Sequence, residues 1–305
     1  GGSHGMLGRG TLEKSAPLGP VLMPPHRFLS VSCGQDHVLA VDWRGRVWSW
    51  GSGEGLGLTV QPHVAVLSPQ MVTCLSEPVS VAAAGGGHSL ALTRGGTAFA
   101  WGANHFGQLG MGTTVSVGLP TPVVFEPSTS SNLEDRRFVG ASAGGEFSLL
   151  LASCGTVLAA GSGAHGETGI AFGNLLGVCP FFIPVSRLER RVRAVSAGWR
   201  HALALTHDGQ VYAWGANSSG ECGLGERSVA IAVLEPELVA GLPVKGACAV
   251  AAGRAHSLVV VCEEDETDTR SGRSVYAFGR GAGGAIGHGR VDEEDAPSPV
   301  RVADA

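Results

Sequence analysis

The chain has 305 residues, 44% hydrophobic and 15% charged, with a formal net charge of −5. This balance supplies a large apolar core and excludes a disordered chain, and the acidic excess argues against a body that holds nucleic acid by general attraction to phosphate. No stretch reaches the ~18 uninterrupted apolar residues of a membrane-spanning helix, and seven scattered cysteines with no Cys-x-x-Cys pair read as reduced thiols of a cytosolic or nuclear protein, with no metal or other cofactor expected.

The first element is Gly5-Met6-Leu7-Gly8-Arg9-Gly10-Thr11 followed by Pro20-Val21-Leu22, which reads as a turn and an outer strand, a partial unit over 1–25. Five whole units follow, over 29–72, 78–124, 138–185, 192–239 and 248–302. Each opens on a strand rich in small residues, such as Val81-Ala82-Ala83-Ala84 or Ala249-Val250-Ala251-Ala252. Next comes Gly-x-x-His or a near version of it, at Gly34 to His37, Gly85 to His88, Gly144 to Phe147, Gly198 to His201 and Gly253 to His256. An alternating or fully apolar second strand runs into a hairpin signal such as Arg44-Gly45, Gly95-Gly96 or Asp208-Gly209. The third strand ends on an aromatic residue and glycine, Trp50-Gly51, Trp101-Gly102, Trp214-Gly215 and Phe278-Gly279, with Ala160-Gly161 in the third unit. A Gly-x-Leu-Gly turn, as at Gly107 to Gly110, leads to an outer strand that carries proline, as at Pro122-Val123-Val124 and Pro236 to Val239, where an unpaired edge tolerates it.

A repeat of 51 to 59 residues is too long for a helical pair and suits a four-stranded propeller blade. The sequence therefore predicts one all-β domain over 1–305, a β-propeller of four-stranded antiparallel blades with five full repeats and an N-terminal partial repeat. In that topology the Gly-x-x-His and Gly-x-Leu-Gly turns share one face. The second-to-third hairpins and the links between blades share the other. Both long departures from the repeat, 126 to 137 and 263 to 273, fall on the hairpin face, where a repeat protein builds partner sites.

Gly-x-x-His, Trp-Gly, Gly-Gln-Leu-Gly-x-Gly-Thr and the trailing proline, repeated in order, resemble the regulator of chromosome condensation repeat, whose family fold is a propeller, usually of seven blades. The resemblance covers nearly the whole chain. In a family member that exchanges nucleotide on the small GTPase Ran, acidic residues of Gly-x-Asp-His turns act with a projecting wedge. The resemblance carries that role onto Asp36, and onto Glu146 at the matching place in the third unit; the alternative is that Asp36 closes its own turn. The Gly198-Trp199-Arg200-His201 turn resembles those of a plant UV-B photoreceptor in the family, which works through a cluster of such tryptophans. This chain has one, so Trp199 and Arg200 read as an exposed aromatic contact beside a cation.

The recurring histidines, His37, His88, His201 and His256, occupy one position in successive units, which implies one structural task, an imidazole hydrogen bond that pins the turn to backbone. Ser89 and Ser257 directly follow histidines, but adjacent strand residues face opposite ways, so no nucleophile pair is expected there. Trp50, Trp101 and Trp214 read as blade-packing residues. The basic run Arg187, Arg190, Arg191 and Arg193 and the acidic run Glu263-Glu264-Asp265-Glu266 are either solvated segments or opposite charges that orient one partner. The functional expectation is a non-enzymatic scaffold for protein-protein interaction. The alternative is guanine-nucleotide exchange on a Ran-like small GTPase. A protein is the expected partner, with no nucleic acid on the propeller body and no membrane.

Overall fold

In the computed structural model, residues 4–12, 19–22, 27–59, 64–125, 137–170, 177–188, 191–225, 230–243, 246–263, 272–287 and 295–302 are described. Strands appear in five consecutive groups of four. The first is β1 (Phe28–Cys33), β2 (His37–Asp42), β3 (Val47–Gly51) and β4 (Val66–Met71); the second is β5 (Val79–Ala84), β6 (His88–Thr93), β7 (Ala98–Gly102) and β8 (Val117–Pro122). The third is β9 (Phe138–Ala143), β10 (Phe147–Ala152), β11 (Val157–Ser162) and β12 (Val178–Pro184). The fourth is β13 (Val192–Ala197), β14 (His201–Thr206), β15 (Val211–Ala216) and β16 (Ala232–Leu238), and the fifth β17 (Ala247–Ala252), β18 (His256–Glu263), β19 (Gly272–Gly279) and β20 (Ala296–Arg301).

Each group is one antiparallel sheet in sequence order. The innermost strands pack in series, β1 on β5, β5 on β9, β9 on β13 and β13 on β17, so the sheets are the blades of a propeller arranged about an axis. The small residues of these strands let neighbouring backbones approach there. Every inner strand enters through the same irregularity, which leaves Leu29, Ser80, Val139, Arg193 and Cys248 out of register with β2, β6, β10, β14 and β18.

The core lies between blades rather than within them. Leu39, Val41, Ala91 and Trp101 join the first two blades; Leu90, Leu92, Leu150 and Phe182 join the next; and a cluster from Leu149 through Leu203, Trp214 and Val259 to Phe278 spans the last three. Strands β2, β6, β10 and β14 are buried along their whole length, each side chain facing one neighbouring blade or the other. Among the described side chains of β18, alternate residues Ser257, Val259 and Val261 are buried, while His256, Leu258 and Val260 are half-buried.

Two expectations move. The outer strands start N-terminal to their expected places: β8 ends at Pro122, which pairs with Phe99, and Val123 N–H then bonds Ala98 C=O at 3.0 Å, so the ring occupies a position from which no donor is drawn. Pro20 to Leu22 forms no ladder strand; Leu22 N–H donates to Gly8 C=O at 2.8 Å.

Candidate functional site

The Gly-x-x-His turns meet around the axis and are joined in series through backbone. Gln35 N–H donates to Gly85 C=O at 3.1 Å, Gly86 to Gly144 at 3.0 Å, Gly145 to Trp199 at 3.0 Å, and Trp199 to Gly253 at 3.1 Å. The leading glycines are required by this proximity. A Cβ on Gly34 would lie 2.4 Å from Gly85 O, and one on Gly85 2.5 Å from Gly144 O. The five turns line a funnel of about 500 Å³ whose wall is mostly glycine and alanine, with Cys33, Gln35, Trp199 and Arg254 as its larger side chains.

The side chains that differ from blade to blade stand on these turns. Asp36 is half-buried, and its carboxylate is held by His4 Nδ1 at 2.9 Å rather than by its own turn. Glu146 is exposed two blades away. Trp199 is half-buried with the Arg254 guanidinium 5.5 Å from its ring centroid, and Arg200 is exposed beside it. The sequence reading named Arg200 as the cation beside Trp199; the stacked cation is Arg254, two positions before His256 in the next blade. Comparing the second positions of the five turns would have exposed it.

The recurring histidines are turned into the joints. His37 Nε2 lies 2.8 Å from Ser89 Oγ, His88 Nε2 2.9 Å from Ser148 Oγ, and His201 Nε2 2.9 Å from Ser257 Oγ. The imidazole points across the interface to the next blade's serine, a side-chain partner that the spacing of the repeat does not indicate. Each serine in turn donates to the turn carbonyl of the preceding blade: Ser89 to Gly55 at 2.7 Å, Ser148 to Gln108 at 2.7 Å, Ser257 to Glu221 at 2.8 Å. A hydroxyl has one proton, and a carbonyl only accepts, so Nε2 must be the donor to Oγ. The histidine therefore has no lone pair aimed at the serine, and these interblade Ser–His pairs are not nucleophile and base. Burial pushes His37 down to about 4 and His201 to about 4, and takes His88, beside His37, to about 3, so all three are neutral at physiological pH.

The tryptophans reach the same carbonyls. Trp101 Nε1 donates to Gly55 C=O at 2.9 Å, Trp214 to Glu167 C=O at 2.9 Å, and Trp50 to Met6 C=O at 2.8 Å, so the N-terminal segment plays the preceding blade for the first one. Where a blade lacks the indole, at Ala160 or Phe278, it carries Ser148 or Ser257. Where it lacks the serine, at Val38 or Ala202, it carries Trp50 or Trp214. Every joint thus places at least one side-chain donor on its turn carbonyl. Phe147, in place of histidine, faces the blade that has Ala202 in place of serine, so donor and acceptor are lost together.

On the opposite face Arg191 is exposed, and a Cβ on Gly155 would lie 3.0 Å from its Cα. Glu263 pairs through backbone with Gly272, while Arg190, Glu264, Asp265 and most of both long insertions lie outside the described residues. The hairpin residues Trp43, Arg44 and Arg94 and the blade entry at Arg137 are all exposed; the sequence marks Arg44 only as a turn residue and Arg137 only as the end of an insertion, and does not single out Trp43 or Arg94. Among the described residues no three His, Cys, Asp or Glu side chains gather as metal ligands.

A family model described as the RCC1-like domain matches residues 1–259. The Ultraviolet-B receptor UVR8 of Arabidopsis thaliana is 28% identical over 99% of this chain and 64% of its own length. The Secretion-regulating guanine nucleotide exchange factor of Bos taurus is 30% identical over 88% of this chain and 59% of its own. Prp20p of Saccharomyces cerevisiae, whose structure is described with its binding properties to Gsp1p and histones, superposes with a TM-score of 0.75 at 23% identity, covering 92% of this chain and 64% of that one. The chain spans less than two thirds of each of these three proteins.

Proposed function

The chain belongs to the RCC1-like domain family, and we propose that it is a non-enzymatic propeller that presents its variable loops to another protein. One observation carries this reading: the recurrent chemical groups are spent on the joints, and the exposed positions are those in which the blades differ. His37, His88 and His201 are 0 to 1% exposed and locked as donors to serine. The positions between glycine and histidine read Gln35-Asp36, Gly86-Gly87, Gly145-Glu146, Trp199-Arg200 and Arg254-Ala255, with no reactive pair brought together. A rigid scaffold with dissimilar loop tips suits recognition of one shaped surface.

A second reading has a specific feature in its favour. Asp36 and Glu146 sit on one face, and relatives include a protein named as a guanine nucleotide exchange factor and one described as binding Gsp1p. In that reading the two carboxylates compete with phosphate for a GTPase lysine and stabilise the nucleotide-free state. Release of a fluorescent guanine nucleotide from a panel of small GTPases, Ran included, separates the two. The scaffold reading expects the spontaneous rate throughout. Acceleration that disappears in Asp36→Ala and Glu146→Ala would replace it with exchange.

A further inference from the structure

We propose that the hairpin face is a docking surface for an acidic polypeptide segment, in which an arc of arginines pairs with carboxylates and a groove beside Trp43 seats an apolar side chain. The inference deepens the protein-binding reading and rests on it.

The arc is assembled blade by blade. Arg94 Nη2 donates to Trp43 C=O at 3.1 Å across the first joint, and Arg137 Nη2 to Arg94 C=O at 2.5 Å across the second. Arg193, projected by the irregularity at the start of β13, donates through Nη2 to Ala247 C=O at 2.8 Å, with Arg191 exposed nearby. Arg44 stacks over Trp43, its guanidinium carbon 4.9 Å from the ring centroid. A guanidinium carries five N–H donors in a planar fork, so one bond to a carbonyl fixes its direction and leaves other donors for a carboxylate. Side chains already held in place lose little freedom when a partner arrives.

Among the described residues of the first four blades, charge on this face runs against that of the whole chain. Opposing the arginines on the first four blades are Asp42, Glu77 and Asp208, while Glu263 opens the acidic hairpin of the fifth blade. Asp42 is fully buried and neutralised by Arg46 Nε at 2.6 Å, and the Asp208 carboxylate accepts from Thr206 Oγ1 at 2.5 Å. A chain of net charge −5 therefore carries an exposed basic arc across successive blades.

The groove supplies the second half of the specificity. It holds about 290 Å³ between the first blade's hairpin and the link to the second, lined by Val47, Met71, Val72, Leu75 and Pro78, with Arg44 and Arg46 among its walls and Thr73, Ser76 and Glu77 as its polar edge. Trp43 stands close by, 50% exposed. An apolar recess next to paired-cation chemistry fits a segment that alternates acidic with aliphatic residues. Nucleic acid fits less well: its phosphates offer nothing for the recess, and the remaining surface repels a long polyanion.

The test is fluorescence anisotropy with a short fluorescein-labelled peptide repeating Glu-Glu-Leu, alongside Glu-Glu-Ser and a DNA duplex of similar length, at about 0.15 M salt. Wild type is expected to bind the Glu-Glu-Leu peptide about tenfold more tightly than Glu-Glu-Ser, from burial of the leucine. Arg137→Glu should weaken binding about tenfold or more by charge reversal. Arg44→Glu should do the same, and since its guanidinium is held by stacking alone, it separates charge from folding. No peptide binding by wild type, equal binding of both peptides, or unchanged binding in Arg44→Glu overturns the proposal. Tighter binding of DNA with the same arginine dependence replaces the occupant with nucleic acid. Exchange activity is read separately by nucleotide release, so the docking site and the scaffold reading fail in different assays.

Discussion

The joint between the second and third blades lends itself to a double-mutant cycle whose answer nature has half written one blade further on. His88 and Ser148 are both fully buried and 2.9 Å apart. Ser148→Ala alone leaves the His88 Nε2–H without its acceptor and the Gln108 carbonyl without its donor, at about 1–3 kcal/mol per buried group. His88→Phe alone removes the imidazole donor but spares the Ser148 bond to Gln108, and the ring fits: Phe147 lies over Gly144 as His88 lies over Gly85, at 2.2 and 2.5 Å from the respective ideal Cβ positions. The double variant recreates the Phe147 and Ala202 combination of the next joint and leaves one orphan, the carbonyl. Its cost should therefore fall short of the sum of the singles by about 1–2 kcal/mol. Urea unfolding followed by far-UV circular dichroism measures all four proteins. Additivity within about 0.5 kcal/mol would show that the histidine and serine contribute independently, and the joint argument would fail.

Three further outcomes follow from the same geometry. The three joint histidines are depressed to about 4, 3 and 4 in the folded chain against about 6.5 unfolded, so their contribution is complete above pH 6.5 and is lost as pH falls toward their folded values. At pH 5 each favours the unfolded chain by about 2 kcal/mol, and a urea midpoint unchanged between pH 7.5 and about pH 5 would contradict it. Trp214→Phe should cost about 1 kcal/mol more than Trp101→Phe, because Gly55 C=O keeps Ser89 as a donor while the fourth blade has Ala202 at that place; equal melting shifts would refute the sharing. Gly107→Ala and Gly53→Ala both put a side chain at positive φ, +77 and +92, but only at Gly107 does the new Cβ meet backbone, 2.5 Å from Pro180 Cα. Gly107→Ala should therefore be the more damaging by at least about 1 kcal/mol, which thermal unfolding of the pair decides.

The elements whose signals are local were legible in the sequence. The turn before His37 and the Trp50-Gly51 pair mark the start of β2 and the end of β3, because the glycines answer constraints set within a few residues. The partners of the histidines were not, since Ser89, Ser148 and Ser257 lie 52 to 60 residues downstream on another blade. The clue was present: only the unit after Phe147 has alanine where serine is expected. The basic arc escaped notice for a related reason. Arg44, Arg94, Arg137 and Arg193 sit at unlike offsets within their units, and only the packing of blades brings them to one face. The outer strands begin upstream of the expected prolines and pair on past them, at Glu237 and Leu238 after Pro236 and at Val300 and Arg301 after Pro299.

The relay from imidazole to hydroxyl to carbonyl also says something about how such a chain changes over time. Each blade is legible to its neighbour through a small grammar of donors and acceptors, so the heritable unit is the seam. A duplicated or transplanted blade has to agree at both edges. One that brings a serine next to Phe147, or withdraws serine and tryptophan together, would misread. Sequence drift inside a blade is then cheap, while drift at a seam advances only by matched steps in two repeats.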